Sequence, residues 1–182
     1  MPFALDLIQR VLERSLAEFF HYESDGLVGD VSERNSCGRL AIYMQRVANE
    51  EGLGQYFADT EYNRKQSGQV KTILDDEMKV ITITADLILH SRGQNIVEDN
   101  MIAIEMKKAG RPSNEKRADR ERLRAMTKCS YDGVWSNDGS THPEHVCGYR
   151  LGVYVELNSA VRKARIEYFV GGRHTGTKVK PY

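Results

Sequence analysis

The sequence predicts a domain of the α/β class, layered as α+β, with the element order α-α-β-β-β-α-β-β. Three observations support this fold class. Apolar residues recur at helical spacing in the first 50 residues, β-branched residues dominate two segments in the middle, and a charged helical segment precedes further strands. Strands that are flanked by helices in this order are typical of a layered domain with one core.

The composition is that of an ordinary globular protein. The chain has 182 residues, of which 29% are charged and 40% hydrophobic. We predict a single domain over residues 1–182, with residues 1–30 as an N-terminal helical extension and residues 172–182 as a flexible tail. The start of the chain does not resemble a secretion signal, and no apolar run approaches the roughly 20 residues of a membrane span. We therefore expect a cytoplasmic protein with no membrane partner, in which the three cysteines are reduced.

Three helices are predicted from apolar residues that recur every three or four positions. The first covers residues 3–20 and is followed by a loop with the sequence ESDGLVGD. The second covers residues 32–50, with Asp30 or Ser32 as its N-cap, and the third, which is highly charged, covers residues 115–128. Each helix is expected to bury one apolar face.

Strands are predicted where β-branched and aromatic residues concentrate. The predicted strands are 56–64, 79–90, 101–107, 148–157 and 164–172. The segment 79–90, KVITITADLILH, is the clearest of them, and a polar loop at 129–146 precedes the last two strands.

Basic residues are concentrated in two segments, although the net charge of the chain is zero. Residues 107–128 hold nine basic and three acidic residues, and residues 161–182 hold six basic and one acidic residue. Localised basic surfaces of this kind bind phosphate groups. The nucleic-acid-binding candidates are Lys108, Arg111, Lys116, Arg117 and Arg120. A solvated helix face is an equally good explanation for any one of them.

Charged residues stand at the ends of two predicted strands that follow one another. Glu105 and Lys107 share one face of their strand because side chains alternate, and Asp86 lies in the apolar strand before it. Two carboxylates at close range repel each other unless a cation lies between them, and Mg²⁺ prefers oxygen ligands. A lysine beside such an ion can orient a water molecule or stabilise charge on a phosphate. These residues therefore suit hydrolysis of a phosphodiester.

The Glu-x-Lys tripeptide alone carries little weight. Glu77-Met78-Lys79 has the same pattern, but it lies in a polar segment with no apolar strand before it. The strand context and the presence of Asp86 distinguish the copy at Glu105-Met106-Lys107 from it. A buried structural ion pair is the alternative explanation of that copy.

The stretch ADLILHSRGQNIVEDNMIAIEMKKAG, followed by the helix EKRADRERLRAMT, resembles the PD-(D/E)XK nuclease superfamily, which includes restriction and repair enzymes. The segments SERNSCGRLAIYM and EYNR are also similar to stretches of bacterial and phage members, so that the resemblance covers roughly residues 30–158. It implies a restriction-endonuclease-like core, with a mixed central sheet flanked by helices. Ala85 stands where the family's name expects proline, a position at which substitution is common in the family.

The resemblance implies a Mg²⁺-dependent endonuclease that acts on DNA, with Mn²⁺ able to substitute. Asp86 and Glu105 are the implied metal ligands, together with the backbone carbonyl of Met106. Lys107 is implied to position the attacking water and the scissile phosphate. A homodimer is compatible with this activity, since cutting both strands often uses two sites.

Two further acidic residues are candidates for the same site. Glu33 is implied as a fourth catalytic residue, because many family members add an acid from the first helix of the core. A first-turn acid that is favoured by the helix dipole is an equally good explanation of Glu33. Glu61 either lies near the site or pairs with Arg64, and we favour the pair.

Four potential zinc ligands occur near the polar loop, namely Cys129, His142, His145 and Cys147. Their spacing, C-x12-H-x2-H-x-C, departs from common zinc modules, and we favour a solvated loop. The segment GGRHTGTK has Thr177 where a phosphate-binding loop has lysine, and no helix is predicted after it. We therefore expect no nucleotide cofactor.

Two other classes of function stay open. The first is a catalytically inactive nucleic-acid-binding or assembly subunit that retains the nuclease fold. The second is a structural protein whose charges at the strand ends are simply paired.

Overall fold

The structure, a computed structural model, describes residues 4–61, 72–74, 80–82, 85–95, 97–128 and 148–182. The predicted fold class is confirmed, because in these ranges three α-helices accompany a six-stranded mixed sheet in an α+β arrangement. No helix within the same ranges is long and apolar enough to cross a membrane.

The elements have the following bounds in chain order. The α-helices are α1 (Leu5–Val28), α2 (Glu33–Glu50) and α3 (Ser113–Thr127). The strands are β1 (Phe57–Thr60), β2 (Thr72–Leu74), β3 (Val80–Thr82), β4 (Leu87–His90), β5 (Asn100–Lys108), β6 (Leu151–Asn158), β7 (Lys163–Val170) and β8 (Arg173–Pro181).

Both N-terminal helices form where the apolar spacing predicts them, but α1 is longer than expected. The prediction of a loop at ESDGLVGD is wrong for most of that segment, because α1 continues through it to Val28. Leu27 lies seven positions after Phe20 on the same helix face, and both are buried, so that the apolar stripe extends the helix. Ser32 is confirmed as the N-cap of α2, since its hydroxyl accepts a hydrogen bond from the Asn35 N–H at 3.1 Å.

The main sheet has the strand order β1-β4-β5-β6-β7-β8. In this sheet β5 and β6 are parallel and the other four pairs are antiparallel. Parallel neighbours need a crossover connection, and α3 lies in it. The charged ends of β5 and the helix that follows them in sequence are therefore brought back against the same sheet.

The predicted strand 79–90 is wrong as a single strand. Its first part is β3, which pairs with β2 in a separate two-stranded sheet, and its last part is β4 in the main sheet. Asp86 lies just before β4, and its carboxylate accepts a hydrogen bond from the Met106 N–H at 2.8 Å. A side chain thus takes the place of a backbone partner, which ends the pairing of β4 with β5 at this point.

The two faces of the main sheet differ in chemistry. One face packs aliphatic residues against α1 and α2 and forms the larger apolar core, with Ile104, Val153 and Ile166 among its fully buried residues. The other face lies under α3 and has a smaller apolar cluster that includes Tyr154 and Phe169. Glu105 and Lys107 of β5 belong to this second face, and both contact residues of α3.

The C-terminal segment is not the flexible tail that we predicted for residues 172–182. It forms β8, which is antiparallel to β7, and the Tyr182 ring stacks on Phe20 of α1 with centroids 5.6 Å apart. The prediction failed because β8 has few apolar residues. The strand is held by backbone pairing with β7 and by ion pairs, and neither produces an alternation of apolar residues in the sequence. Residues 1–30 are likewise more than an extension, since α1 supplies several fully buried residues of the larger core.

Glu13 of α1 is the residue that ties β8 to the helices. Its carboxylate accepts hydrogen bonds from Tyr168 Oη at 2.5 Å, from Lys178 Nζ at 2.9 Å and from Lys180 Nζ. Burial alone would raise the pKa of Glu13, but these hydrogen bonds outweigh burial and lower the pKa to about 2.

We expect the contribution of Glu13 to stability to be lost in acid. Because its pKa is lower in the folded state than in the unfolded chain, the contribution is present above about pH 4.5 and is lost as the pH falls towards about 2. Urea unfolding of the wild type and Glu13→Gln at several pH values tests this. The wild type should be more stable near neutral pH, and the difference should shrink in the acid range. A difference that does not change with pH would contradict the prediction.

Gly152 of β6 allows α3 to approach the sheet closely. A Cβ atom at this position would lie 2.8 Å from Thr127 Cγ2 and 3.2 Å from Phe169 Cβ. Gly38, in the middle of α2, has nothing within 4 Å of the corresponding position. The two glycines therefore provide a matched pair of alanine substitutions.

We expect Gly152→Ala to lower the free energy of unfolding by about 1–3 kcal/mol, because the added methyl group overpacks the contact with α3. Gly38→Ala should raise it by about 0.5–1 kcal/mol, because alanine loses less conformational entropy than glycine in a helix. Urea unfolding curves measure both effects. Equal effects of the two substitutions would mean that α3 does not press on β6.

Candidate active site

The predicted residues Asp86, Glu105 and Lys107 are brought together beside the β4–β5 pair. Leu87 of β4 pairs with Ile104 of β5, so that Asp86 lies next to the end of β5 that carries the charged residues. Lys107 Nζ is 3.5 Å from Asp86 Oδ2. The hydrogen bond from the Met106 N–H fixes the Asp86 carboxylate against β5.

Glu105 is the most buried charged residue of this group, with 0% of its surface exposed. Its Oε1 atom accepts a hydrogen bond from Arg122 Nη1 of α3 at 2.6 Å. Its Oε2 atom is buried and has no hydrogen-bond partner among the described residues. Burial raises the pKa of Glu105 well above its ordinary value, and the nearby Asp86 carboxylate raises it further.

Asp119 of α3 connects Arg122 to Lys107. Its Oδ1 atom is 3.1 Å from Arg122 Nη2, and its Oδ2 atom is 3.4 Å from Lys107 Nζ. Burial opposes the charge of Lys107, but the carboxylates of Asp86 and Asp119 outweigh burial and raise the pKa of Lys107. Burial raises the pKa of Asp119 itself. The side chains thus alternate in sign from Asp86 to Glu105.

Glu33, the proposed fourth member, lies at the end of β5 and is fully engaged there. Its Oε1 atom accepts hydrogen bonds from the Lys108 N–H at 2.9 Å and from Arg111 Nε at 3.0 Å, while Oε2 accepts one from Arg111 Nη2 at 3.2 Å. Burial opposes its charge, but these hydrogen bonds lower the pKa of Glu33. It joins the start of α2 to the end of β5.

Met106 contributes its backbone to the site and its side chain to the opposite face. Its carbonyl oxygen is 3.4 Å from Lys107 Nζ, which donates to it. Its Sδ atom lies 3.9 Å from Cys37 Sγ in the larger core. Burial, reinforced by Asp86, raises the pKa of the Cys37 thiol, so that this cysteine is neutral.

Two of the proposed phosphate contacts, Lys116 and Arg120, are used within the domain. Lys116 Nζ donates to the Ala109 carbonyl at 2.5 Å and lies 3.0 Å from Glu156 Oε2. Arg120 binds both carboxylate oxygens of Glu167, at 2.8 and 2.9 Å. Residues that anchor α3 to the sheet in this way are poorly available to a phosphate, because the new contact would break the existing one.

The other three proposed phosphate contacts are more exposed. Arg117 is the most open of them, with 75% of its side chain exposed and a loose contact with Glu121 at 3.9 Å. Lys108 pairs with Asp30 at 2.6 Å, and Arg111 pairs with Glu33. A role in nucleic-acid binding stays a prediction for these three residues.

Sequence reasoning missed Asp119 and Arg122, which it left on the charged surface of the third helix. Asp119 lies four positions before Leu123, and Arg122 lies four positions before Met126. Both apolar residues are buried, so that the charged residues share the face that packs on the sheet. This i, i+4 relation to the apolar positions was the available signal.

Several other predictions fall on residues that lie outside the described ranges. They concern the zinc candidates Cys129, His142, His145 and Cys147, and the Glu-x-Lys tripeptide at Glu77-Met78-Lys79. Arg64 lies outside them as well. Glu61 itself is described, and its Oε2 atom is 3.0 Å from Arg34 Nη2.

The described residues offer few side-chain ligands to a divalent metal. In the described part of the chain, no three or more His, Cys, Asp or Glu side chains are grouped to hold a metal. The chemistry of the two carboxylates nevertheless suits a hard cation, since Glu105 Oε2 is buried and lacks a partner there. Mg²⁺ is commonly bound by one or two carboxylates and several waters.

Comparison of the chain with known protein families, with curated proteins and with solved structures finds no match.

We expect the metal-free wild type to lose stability relative to Glu105→Gln as the pH rises from acid to alkaline values. Since the pKa of Glu105 is higher in the folded state than in the unfolded chain, the wild type should lose stability as the pH rises above about 4.5. The loss relative to the glutamine variant should accumulate until the pH reaches the folded-state pKa. Urea unfolding between about pH 5 and about pH 8, with a chelator present, measures it. A parallel pH dependence of the two proteins would contradict the prediction.

Proposed function

We propose that the protein is a Mg²⁺-dependent nuclease that hydrolyses phosphodiester bonds in DNA. One observation carries this proposal. The buried Glu105 carboxylate has an oxygen without a partner in the described part of the chain, and it is accompanied by the Asp86 carboxylate and the Lys107 ammonium. A buried structural ion pair is expected to satisfy both carboxylate oxygens, because unpaired buried polar atoms are costly.

Asp86 and Glu105 are the residues that would hold the metal, with the Met106 carbonyl as a third ligand. When bound, the ion would lower the pKa of a coordinated water and neutralise charge on a phosphate. Its arrival would also relieve the repulsion between the two carboxylates, which is one cause of the raised pKa of Glu105.

The side chains of the chain itself bind and orient the reacting groups. Lys107 stays protonated beside Asp86 and Asp119, so that it can donate hydrogen bonds to a phosphate oxygen or to the attacking water. The Met106 N–H holds the Asp86 carboxylate in place. Glu33 holds the end of β5 against α2 and thereby supports Lys107 from the backbone.

We also propose the restriction-endonuclease-like core as the finer assignment of the fold. The mixed sheet, the neighbouring β4 and β5, and the crossover helix after β5 are compatible with the PD-(D/E)XK resemblance of this segment. Arg111 and Arg117 are the most exposed of the candidate contacts to the DNA backbone.

Purified protein should cut DNA with Mg²⁺ or Mn²⁺ and should lose this activity with a chelator. Lys107→Ala should lower kcat at least about a hundredfold, as expected when one group that stabilises the transition state is removed. Lys79→Ala is the matched control, because it removes the lysine of the other Glu-Met-Lys tripeptide, and it should retain activity. Gel-based cleavage assays with linear, circular and single-stranded DNA measure the outcome.

The proposal fails if the wild-type protein cleaves no form of DNA or RNA with either metal. Cleavage that survives in the folded Lys107→Ala variant would show that the activity comes from a contaminant or from another site.

The second candidate function is a nucleic-acid-binding or assembly subunit without catalysis. It is favoured by the small number of grouped metal ligands in the described ranges. Calorimetric titration with Mn²⁺ separates the two candidates, using an Asp86→Asn, Glu105→Gln double variant. Equal binding of Mn²⁺ by the wild type and the variant would remove the metal site, and steeply salt-dependent DNA binding would then support the subunit.

A further inference from the structure

Helix α3 carries two charged residues that its own packing does not require. Asp119 is almost fully buried, and Arg122 has 24% of its side chain exposed. Burying a charge costs several kcal/mol of desolvation unless the charge is well paired. Charged residues on the buried face of the helix are therefore expected to interact with specific groups on the sheet.

Asp119 and Arg122 connect Glu105 with the pair formed by Lys107 and Asp86. Arg122 contacts Glu105 with one nitrogen and Asp119 with the other, at 2.6 and 3.1 Å. Asp119 in turn lies 3.4 Å from Lys107, whose other carboxylate neighbour is Asp86. The five side chains, in the order Asp86, Lys107, Asp119, Arg122 and Glu105, form one continuous row in which acidic and basic residues alternate.

The geometry of Arg122 matters as much as its charge. A guanidinium presents its donors in a rigid planar fork, whereas a lysine ammonium is a single point charge. Because one arm of the fork binds Glu105 Oε1, the rotation of that carboxylate is restricted, and Oε2 is left without a hydrogen-bond partner among the described residues. The other arm fixes the carboxylate that faces Lys107.

We propose that Asp119 and Arg122 are positioning residues of the site, acting through Lys107 and Glu105 respectively. Arg122 orients Glu105 so that Oε2 stays open for a ligand, and Asp119 holds the Lys107 ammonium next to Asp86. This inference rests on the proposed nuclease function for its catalytic consequence, but the positioning itself can be measured without catalysis.

A matched control exists at the same helix–sheet interface. Glu167 of β7 is a buried carboxylate that pairs with Arg120 of α3 at 2.8 Å, as Glu105 of β5 pairs with Arg122 of α3. In the described part of the chain its side-chain partners are Arg120 and Arg165, and none of Asp86, Glu105 and Lys107 is among them. Glu167→Gln therefore breaks an ion pair of the same kind without touching the row of charges.

The first readout is the side-chain ¹⁵N signal of the Lys107 ammonium in NMR spectra of the metal-free protein. An ammonium held in ion pairs exchanges its protons slowly and gives an observable signal. We expect the signal in the wild type and in Glu167→Gln, and its loss in Asp119→Asn and in Arg122→Lys. A signal that persists in both of these variants overturns the positioning of Lys107, whatever the activity of the protein.

The second readout is the separation of kcat from KM in DNA cleavage. Asp119→Asn and Arg122→Lys should lower kcat about tenfold or more while KM for DNA changes less than about twofold, because orientation rather than binding is lost. Arg122→Lys should also weaken Mn²⁺ binding, measured by calorimetry, while Glu167→Gln should change neither quantity. Equal effects of all three variants on kcat would show that α3 acts only by holding the fold together.

The two failures can be told apart. If the wild type neither cuts nucleic acid nor binds Mn²⁺, the proposed function is wrong, and the NMR readout still decides the positioning. If the wild type cuts DNA but Asp119→Asn cuts equally fast, the positioning is wrong and the nuclease function stands. Urea unfolding of each variant shows that it is folded, and Asp119→Asn keeps the volume of the side chain, so that it serves if Arg122→Lys does not fold.

Discussion

The buried carboxylate of Glu105 is the constraint on which one half of this structure depends. A carboxyl group in a fully buried position of the sheet needs a local partner, and α3 provides this partner through Arg122. That contact brings Asp119 with it, and Asp119 faces Lys107. The position of the crossover helix, the charge state of Lys107 and the orientation of Asp86 are thus parts of a single electrostatic arrangement around β5.

The same helix is anchored to the sheet by ions at several points. Lys116 pairs with Glu156 of β6, and Arg120 pairs with Glu167 of β7 while its guanidinium lies 4.0 Å from the Tyr154 ring centroid. A helix that is held by charges of both signs has a more specific position than one held by apolar contacts, since hydrogen-bonded ion pairs require defined distances and directions. The opposite face of the sheet packs mainly apolar residues on α1 and α2.

The sequence predicted what apolar periodicity and strand composition encode, and little beyond that. The fold class, the existence of the three helices and the cap at Ser32 follow from local spacing. So does the juxtaposition of Asp86 and Lys107, because adjacent antiparallel strands are the simplest arrangement of two apolar segments joined by a short turn. The division of the strand 79–90 and the contribution of α3 could not be predicted in the same way. The first depends on the Asp86 carboxylate, which accepts the hydrogen bond of the Met106 N–H in place of a backbone carbonyl. The second depends on Asp119 and Arg122 facing the sheet, and tertiary contacts decide both.

The position of β8 has a consequence for the behaviour of the protein in concentrated solution. β8 is an outer strand of the main sheet as described, and an outer strand exposes unpaired backbone groups that another chain can extend. This strand has lysines at positions 178 and 180, a glycine at 176 and a proline at 181. Lysine and proline at such an edge oppose edge-to-edge pairing. Lysines repel the like charges of a second copy of the strand, and proline lacks a backbone N–H donor. The polar residues that make β8 resemble a tail in the sequence therefore also disfavour aggregation through the edge of the sheet.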